Sequence, residues 1–236
     1  MPRVLSCILV ALLTVPAIAA DEAAKPTPAK PEPGAAAVRK ELAPVADVAG
    51  LPRVLLIGDS ISIGYTLPVR DLLKGKANVH RNLDPYNAET TRNGVKSLDR
   101  WLGDGKWDVI HFNHGLHDVK IMAGGARHVE LDEYEKNLRA IVARLKKTGA
   151  KLIFATTTPV PEGKVTPARD PADVPKYNAV ALKVMTEEGV AVNDLYALAQ
   201  PKLKEIQQSV NVHFTKRGSQ LLAEQVARHV EEALKK

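Results

Sequence analysis

The sequence predicts a three-layer α/β/α sandwich built around a five-stranded parallel sheet. Short apolar runs rich in Val, Ile and Leu recur along the chain, and each is followed by a longer stretch with apolar residues at helical spacing. Strands buried on both faces form continuous apolar runs, and their alternation with helices is typical of βαβ units. Because such crossovers are right-handed, helices are expected on both faces of the sheet.

Five segments are predicted as strands. The first is a continuous apolar run that Gly58 ends, as expected for a strand in the middle of a sheet. The other four runs are shorter or more polar. The predicted strands are residues 53–57, 78–82, 107–113, 151–156 and 190–194, and the predicted helices are one after the first strand to about residue 73, then 94–102, 131–148, 171–188 and 218–234.

The first 51 residues are predicted to lie outside the folded domain. Arg3 precedes an apolar run at residues 4–15 and small residues at 17–20, which is typical of a signal peptide at residues 1–20, cleaved near Ala19 or Ala20. That run is too short to span a membrane, so we expect an exported protein, periplasmic or secreted, without a membrane span. Residues 21–51, rich in Pro, Ala and Lys, predict a disordered linker, and residues 52–236 one domain.

Composition excludes several classes of function. Cys7 is the single cysteine and lies in the predicted signal peptide, so the mature protein should have no disulfide, thiolate metal site or cysteine nucleophile. The net charge of +6 is spread along the chain among acidic residues, which indicates a solvated basic surface. Aromatic residues make up 4% of the chain, too few to suggest a stacking surface for nucleic acid, so no nucleic-acid partner is expected.

Ser60 is the first candidate for chemistry. The tripeptide Gly58-Asp59-Ser60 directly follows the first predicted strand, and ligands of such folds bind beyond the carboxyl ends of the strands. A serine in the first turn of a helix has an unpaired backbone N–H, and the helix N-terminus favours developing negative charge. These features suit an acyl-transfer nucleophile with an oxyanion hole. Alone, the tripeptide fits an ordinary helix cap equally well.

Two later segments bring polar side chains to the same edge of the sheet. His213 lies on a loop between the fifth strand and the last helix, from which a histidine can reach back to Ser60 and act as its base. Asn113 and the segment 115–118, Gly-Leu-His-Asp, follow the third strand. Each of these residues is also compatible with a surface, turn or capping role.

Taken in order, the three segments resemble the SGNH (GDSL) hydrolase family. Gly58-Asp59-Ser60 is similar to its first block, residues 115–118 to its Gly-x-Asn-Asp block, and residues 210–215 to its Asp-x-x-His block. The resemblance covers residues 52–234 and implies the flavodoxin-like SGNH hydrolase fold with esterase or lipase chemistry. Carbohydrate O-acetyl groups are frequent substrates of secreted members of this family.

The chain departs from the family pattern at three positions. Val210 stands where the family has the triad aspartate, His117 where it has the oxyanion-hole asparagine, and Ala88 where the second block has glycine. We therefore expect the oxyanion donors to be the Ser60 N–H, a backbone N–H at Ala88 and the ring of His117, with His117 neutral and activity rising with pH through both histidines. His213 would be oriented by a backbone carbonyl or a distant carboxylate.

The function that the resemblance implies is deacetylation, or removal of another short acyl group, from a carbohydrate ester, without a cofactor. The side chains expected to bind the substrate are Asp59, Asn87, Asn113 and Asp118. An alternative function is that of a lysophospholipase or thioesterase acting on longer acyl chains, although the polar loops favour short acyl groups. A non-catalytic binding module on a degenerate hydrolase fold also stays open, since the triad aspartate is missing.

A metal site is the remaining alternative. His111, His114 and His117 recur at a spacing of three residues. In a strand followed by a loop, side chains at that spacing do not all face one way, whereas a zinc site needs ligands that converge. No metal site is therefore predicted.

Overall fold

The computed structural model describes residue 2 and residues 41–235. These residues contain a parallel sheet in the order β2-β1-β3-β4-β5, with helices between consecutive strands. The predicted α/β/α sandwich around a five-stranded parallel sheet is thus confirmed. The strands are β1 (Arg53–Ile57), β2 (Asn78–Arg81), β3 (Val109–Phe112), β4 (Lys151–Ala155) and β5 (Ala191–Asn193).

The strands are buried because their side chains meet helices on both faces. In β1, the four residues from Val54 to Ile57 are buried, and the strand pairs with β2 on one side and β3 on the other. Every residue of β3 is buried as well. This central position explains why β1 and β3 appear in the sequence as uninterrupted apolar runs.

In the described part of the chain, seven α-helices lie between Ser60 and Lys235. Helix α1 packs along α7, while α2, α3 and α4 pack side by side, which gives the two outer layers of the sandwich. The helices are α1 (Ser60–Leu72), α2 (Thr91–Leu102), α3 (Leu131–Lys146), α4 (Asp173–Glu187), α5 (Leu195–Ala199), α6 (Leu203–Ile206) and α7 (Lys216–Lys235).

Two features between the main elements were not predicted. The short helices α5 and α6 carry the chain from β5 towards the loop that ends in His213, and they are too short to show helical periodicity in the sequence. Lys120 and Arg169, on the loops that follow β3 and β4, form an isolated antiparallel bridge. Single bridges of this kind leave no period in the sequence.

The chain contacts the domain before the predicted boundary at residue 52. The Asn78 side chain accepts a hydrogen bond from the Val48 N–H at 2.8 Å. The Asp47 carboxylate lies 2.6 Å from His80 Nε2 and 2.9 Å from Arg53 Nε. Part of the predicted linker, residues 41–51, therefore includes ordered contacts, whereas residues 21–40 and the predicted signal peptide, apart from residue 2, lie outside the described residues.

The order of the strands determines where a ligand-binding crevice forms. Strand β1 lies between β2 and β3, so the connections that leave β1 and β3 run in opposite directions across the sheet. A crevice opens at the carboxyl ends of such a pair of strands, and ligands bind there in open α/β sheets. Ser60 follows β1 and His117 follows β3.

No helix among the described residues is both long and apolar enough for a membrane span.

Candidate active site

Ser60 begins helix α1 directly after the cap residue Asp59. The Asp59 Oδ1 atom accepts a hydrogen bond from the Ile61 N–H at 2.9 Å, which closes the first turn of the helix. The N–H of Ser60 donates to no acceptor within residues 41–235. Ser60 therefore presents both its hydroxyl and an unpaired N–H at a helix N-terminus, where developing negative charge is stabilised.

The turn before Ser60 is held from both sides. The Gly58 N–H donates to Asn82 Oδ1 at 3.0 Å, and the buried Arg81 guanidinium donates to the Gly58 carbonyl at 3.3 Å and to the Tyr86 carbonyl at 2.8 Å. A Cβ atom at Gly58 would lie 2.8 Å from the Cβ of Ser62. Position 58 therefore requires glycine, and Arg81 ties the Ser60 turn to the loop that carries Ala88.

His213 is carried by a short closed loop. Gln207 and Phe214 form an antiparallel bridge across its base, and the Gln208 N–H donates to the His213 carbonyl at 2.9 Å. The Thr215 N–H donates to the Ile206 carbonyl at 2.8 Å, just before α7 begins. These backbone bonds fix the position of His213 relative to the sheet.

The Ser60 hydroxyl, the His213 ring and the Asn211 amide form a chain of hydrogen bonds. His213 Nε2 lies 2.9 Å from Ser60 Oγ, and His213 Nδ1 lies 2.7 Å from Asn211 Oδ1. Since Asn211 Oδ1 can only accept, Nδ1 carries the ring proton and Nε2 presents its lone pair to the serine. This is the tautomer that a general base for Ser60 needs. Asn211, which the sequence did not identify, is the group that orients His213, rather than the expected backbone carbonyl or carboxylate.

Val210, at the position of the family's triad aspartate, faces away from His213. Its side chain is 48% exposed, and its φ of 49° is in the left-handed region that β-branched residues rarely adopt. Its methyl groups lie against Gly163. The next residue, Asn211, is therefore the one whose side chain turns towards the histidine. The sequence feature that could have identified this orienting group is the amide side chain two residues before the histidine.

His117 is held by Lys120. The Lys120 Nζ atom lies 2.9 Å from His117 Nδ1. Because an ammonium group can only donate, Nδ1 is the acceptor and the ring proton is on Nε2. Burial, together with the charges of Lys120 and Arg169, lowers the pKa of His117 to about 3. His117 is therefore neutral at ordinary pH and has an Nε2–H without a partner among the described residues, as a donor to an oxyanion requires.

Ala88 is not free to serve as an oxyanion donor, which corrects the sequence-based expectation. Its N–H already donates to the Gly58 carbonyl at 3.1 Å. Asn87, beside it, accepts a hydrogen bond from the Glu89 N–H at 3.0 Å through its side-chain oxygen. Asn87 is half-buried, and its amide nitrogen makes no hydrogen bond within the described part of the chain, so it stays a candidate for binding substrate.

The other three residues expected to bind substrate have structural hydrogen bonds instead. Asp59 is 2% exposed and caps α1. Asp118 is 0% exposed, and its Oδ1 accepts from the N–H of Thr91 at 2.9 Å and from its hydroxyl at 2.6 Å. The Asn113 amide donates to the Ala155 carbonyl at 2.7 Å, which ties the ends of β3 and β4 together. Both carboxylates are therefore buried, and each uses its Oδ1 atom in these contacts, so the structure does not support the expectation that Asp59 and Asp118 contact substrate.

The three closely spaced histidines have separate surroundings. His111 Nε2 lies 3.1 Å from the Asn193 amide, and the buried His114 ring stacks on Trp101 with the ring centroids 6.5 Å apart. His117 contacts Lys120 instead. Among residues 41–235, no group of three or more His, Cys, Asp or Glu side chains is arranged to hold a metal ion.

Partial burial favours a neutral His213. Burial lowers the pKa of His213 below its ordinary value, Arg169 adds to this lowering, and the buried Asp59 opposes it. A base with a lowered pKa is neutral, and so able to accept the serine proton, at lower pH than a free histidine. The arrangement can therefore perform nucleophilic acyl transfer by Ser60.

Comparisons with known proteins agree with this fold. The GDSL-like lipase/acylhydrolase family matches residues 56–221. A GDSL esterase/lipase of Arabidopsis thaliana is 27% identical over 210 residues, with 76% of this chain and 86% of the relative covered. A lipase/acylhydrolase structure from Enterococcus faecalis has a TM-score of 0.66 at 22% identity, covering 77% of this chain and 96% of that one.

Two further structures with the same fold are acetylxylan esterases. The acetyl xylan esterase AlAXEase has a TM-score of 0.64 at 18% identity, covering 75% of this chain and 99% of that one. Axe2, an acetylxylan esterase from Geobacillus stearothermophilus, has a TM-score of 0.61 at 22% identity, covering 76% and 94%. At these identities the likeness shows the SGNH hydrolase fold. With the family match extending over most of the folded domain, the chain belongs to the GDSL-like lipase/acylhydrolase family and is a carboxylic ester hydrolase.

Proposed function

We propose that the protein is an exported serine esterase that removes acetyl or other short acyl groups from a carbohydrate, with Ser60 as nucleophile and His213 as base. The observation that carries the proposal is the continuous hydrogen-bond chain from Ser60 Oγ through His213 to Asn211, at 2.9 and 2.7 Å. A protein that only binds carbohydrate does not need a serine hydroxyl that is hydrogen-bonded to an oriented histidine. The amide of Asn211 supplies the orientation that an aspartate supplies in a charged triad.

The reaction follows from these contacts. His213 Nε2 takes the hydroxyl proton of Ser60 as Oγ forms a bond to the ester carbonyl carbon. The carbonyl oxygen becomes an oxyanion, which accepts hydrogen bonds from the Ser60 N–H and from His117 Nε2–H. The intermediate collapses, the alcohol leaves with the proton from His213, and Ser60 keeps the acyl group. Water then adds to the acyl-enzyme with His213 again as base, releasing the carboxylic acid and restoring Ser60.

Two observations support a carbohydrate ester. Structures that share the fold include acetylxylan esterases, which suggests acetylated sugars as the substrate class. A cleft of about 770 Å³ lies beside the loop that carries His213, and its lining includes amide and charged side chains that can bind sugar hydroxyl groups. It is lined by Pro161, Glu162, Gln200, Pro201, Lys202, Leu203, Lys204, Glu205, Gln207, Gln208, Ser209 and Val210.

Export is proposed from the sequence of the N-terminus. The basic Arg3, the apolar residues 4–15 and the small residues 17–20 have the order that signal peptides share. Expression of the full chain followed by N-terminal sequencing of the protein outside the cytoplasm tests this part. Cleavage after Ala19 or Ala20 is expected, and an uncleaved protein that stays in the cytoplasm would contradict it.

Hydrolysis by the full-length protein tests the function. We expect release of p-nitrophenol from the acetate ester to be faster than from the octanoate ester, and release of acetate from acetylated xylo-oligosaccharides. Ser60→Ala should abolish all three activities. Ser219→Ala is the matched control, because the Ser219 hydroxyl in α7 makes no hydrogen bond within residues 41–235 and should not affect the rate. Faster hydrolysis of octanoate would favour a long-chain lipase instead, and activity that survives Ser60→Ala would contradict the proposal.

A further inference from the structure

Two positive charges face each other across an isolated bridge beside the candidate active site. Lys120, on the loop after β3, and Arg169, on the loop after β4, are opposed in an antiparallel bridge, and the adjacent Ile121 N–H donates to the Ala168 carbonyl at 2.9 Å. Side chains of directly opposed residues extend to the same side, and like charges in this arrangement repel each other. The repulsion between the two cations therefore destabilises this arrangement unless a negative charge offsets it.

Both charges are directed towards the loop that carries His117. Lys120 Nζ contacts His117 Nδ1 at 2.9 Å. Arg169 Nε donates to the Leu116 carbonyl at 2.8 Å, one residue before His117, and its Nη1 donates to the Pro167 carbonyl at 3.0 Å. The charge of Arg169 lowers the pKa of both His117 and His213. The Lys120–Arg169 pair thus lies at the edge of the proposed oxyanion site.

No carboxylate of the described residues forms a salt bridge with either member of this pair. Other cations of the protein, such as Arg127 with Asp173 and Arg139 with Glu135, have direct acidic partners. Carboxylates act on the pair only at longer range: Asp59, which caps α1, acts on both cations, and Glu89 and Asp118 act on Lys120. Arg169 is only 7% exposed, and an enclosed guanidinium without an anionic partner is unfavourable.

We propose that the Lys120–Arg169 pair binds a carboxylate of the substrate, so that the preferred ester carries a negative charge close to the bond that is cleaved. This inference rests on the proposed esterase function and narrows its substrate class to esters of acidic molecules. Arg169 Nη2 makes no hydrogen bond within residues 41–235, and Lys120 Nζ has two N–H groups left beyond its contact with His117. A planar carboxylate accepts from such donors in pairs, and its charge would offset the repulsion between the two cations.

Matched pairs of esters test the inference. In the first pair, 4-acetoxybenzoate and methyl 4-acetoxybenzoate share the acyl group and differ in the charge of the leaving group. In the second, mono-4-nitrophenyl glutarate and 4-nitrophenyl pentanoate share the leaving group and differ in the charge of the acyl group. The full-length protein should prefer the anionic member of at least one pair by about tenfold or more in kcat/KM at low salt, and the preference should shrink as salt screens the charges.

Charge-removing variants assign the preference to these residues. Arg169→Gln should reduce kcat/KM for the anionic ester more than for the neutral one, and Lys120→Gln, at a half-buried position, gives the same test if Arg169→Gln does not fold. Lys151→Gln is the control, because it removes one positive charge at the opposite edge of the sheet, where β4 begins. It should leave the preference unchanged.

The outcomes separate this inference from the proposed function. Hydrolysis that depends on Ser60 but is equal for neutral and anionic esters in both pairs would overturn the inference and leave the esterase function standing. Equal losses for both members of a pair in Arg169→Gln and Lys120→Gln would also overturn it, since the two cations would then act on the oxyanion alone. Absence of any hydrolysis would overturn both proposals.

Discussion

The side-chain oxygen of Asn211 accepts two hydrogen bonds from His213, one from ring Nδ1 at 2.7 Å and one from the backbone N–H at 2.9 Å. Because a backbone N–H can only donate, the atom of Asn211 that it contacts is the oxygen of the amide. Asn211 therefore fixes the His213 tautomer and its loop together. It provides orientation without the negative charge that would stabilise a protonated imidazole.

Replacing Asn211 with aspartate should supply that charge at the same place. In Asn211→Asp, the carboxylate can accept the same two hydrogen bonds and should raise the pKa of His213, moving the midpoint of the pH–rate profile upward by about one pH unit. kcat at pH 8 should rise by about tenfold, because the imidazolium formed during acylation is stabilised. Steady-state kinetics of p-nitrophenyl acetate hydrolysis across pH measure both effects. An unchanged midpoint would show that residue 211 does not govern His213.

Restoring aspartate at the family's own position should have no such effect. Val210 has its side chain in solvent and against Gly163, so the carboxylate of Val210→Asp would not face His213. We expect the rate and the pH midpoint to stay within about twofold and within a few tenths of a pH unit of the wild type, since solvent screens an exposed charge. The same kinetic assay gives the comparison. A gain equal to that of Asn211→Asp would mean that the carboxylate at position 210 reaches His213, which would contradict this arrangement of the loop.

The sequence predicted the elements that have a distinct apolar pattern and missed those that depend on one contact. The apolar runs of β1 and β3 are buried on both faces, so their composition alone indicated strands and the crevice beyond them. The sequence alone does not show which of Val210 and Asn211 faces His213, because the positive φ at Val210 decides the direction of both side chains. The Lys120–Arg169 bridge likewise depends on two loops that meet only in the folded protein.

His117 should contribute a hydrogen bond in the transition state. His117→Ala should lower kcat by about 10²–10³, the usual loss for one oxyanion-hole donor, with little change in KM. His117→Asn should recover much of the rate, since the amide again offers an N–H donor. Thermal unfolding of both variants provides the control. Equal kcat for His117→Ala and the wild type, with only the unfolding temperature lowered, would assign His117 a bracing role in the loop.

Activity should depend on a single histidine above pH 4. Burial holds the pKa of His117 at about 3 and lowers that of His213 from its ordinary value of 6.5. Because the base must be neutral, kcat/KM should rise with pH through one ionisation with a midpoint below 6.5 and then stay level. This revises the expectation, drawn from the sequence, that both histidines shape the profile. A midpoint above 6.5 would contradict it.

Asp118 is the group whose ionisation could imitate that of His213. Burial raises the pKa of Asp118 to about 6, and its carboxylate accepts two hydrogen bonds from Thr91. Asp118→Asn keeps an acceptor for Thr91 and removes the ionisation. The midpoint should be the same in this variant as in the wild type, and a profile without a midpoint would assign it to Asp118.

For Ala88 and Asp118, the sequence predicted the position near the nucleophile but not the hydrogen bonds that their polar groups make. A loop position near the nucleophile is visible in the sequence, but the direction of each polar group is not. Ala88 lies beside Gly58, yet its N–H is already bonded to the Gly58 carbonyl. Asp118 follows β3 as expected, but its carboxylate turns inward to Thr91. The topology thus predicts that these residues lie near the site, whereas their hydrogen-bond partners depend on segments that meet only in the folded protein.

Covalent labelling tests the central claim, that Ser60 is a nucleophile activated by His213, most directly. The full-length protein is treated with diisopropyl fluorophosphate, and the site of modification is found by mass spectrometry of its peptides. We predict one diisopropylphosphoryl group on Ser60, formed at least about 10²-fold more slowly in His213→Ala, because the general base is lost. An unlabelled Ser60, or labelling at the same rate in His213→Ala, would contradict the account.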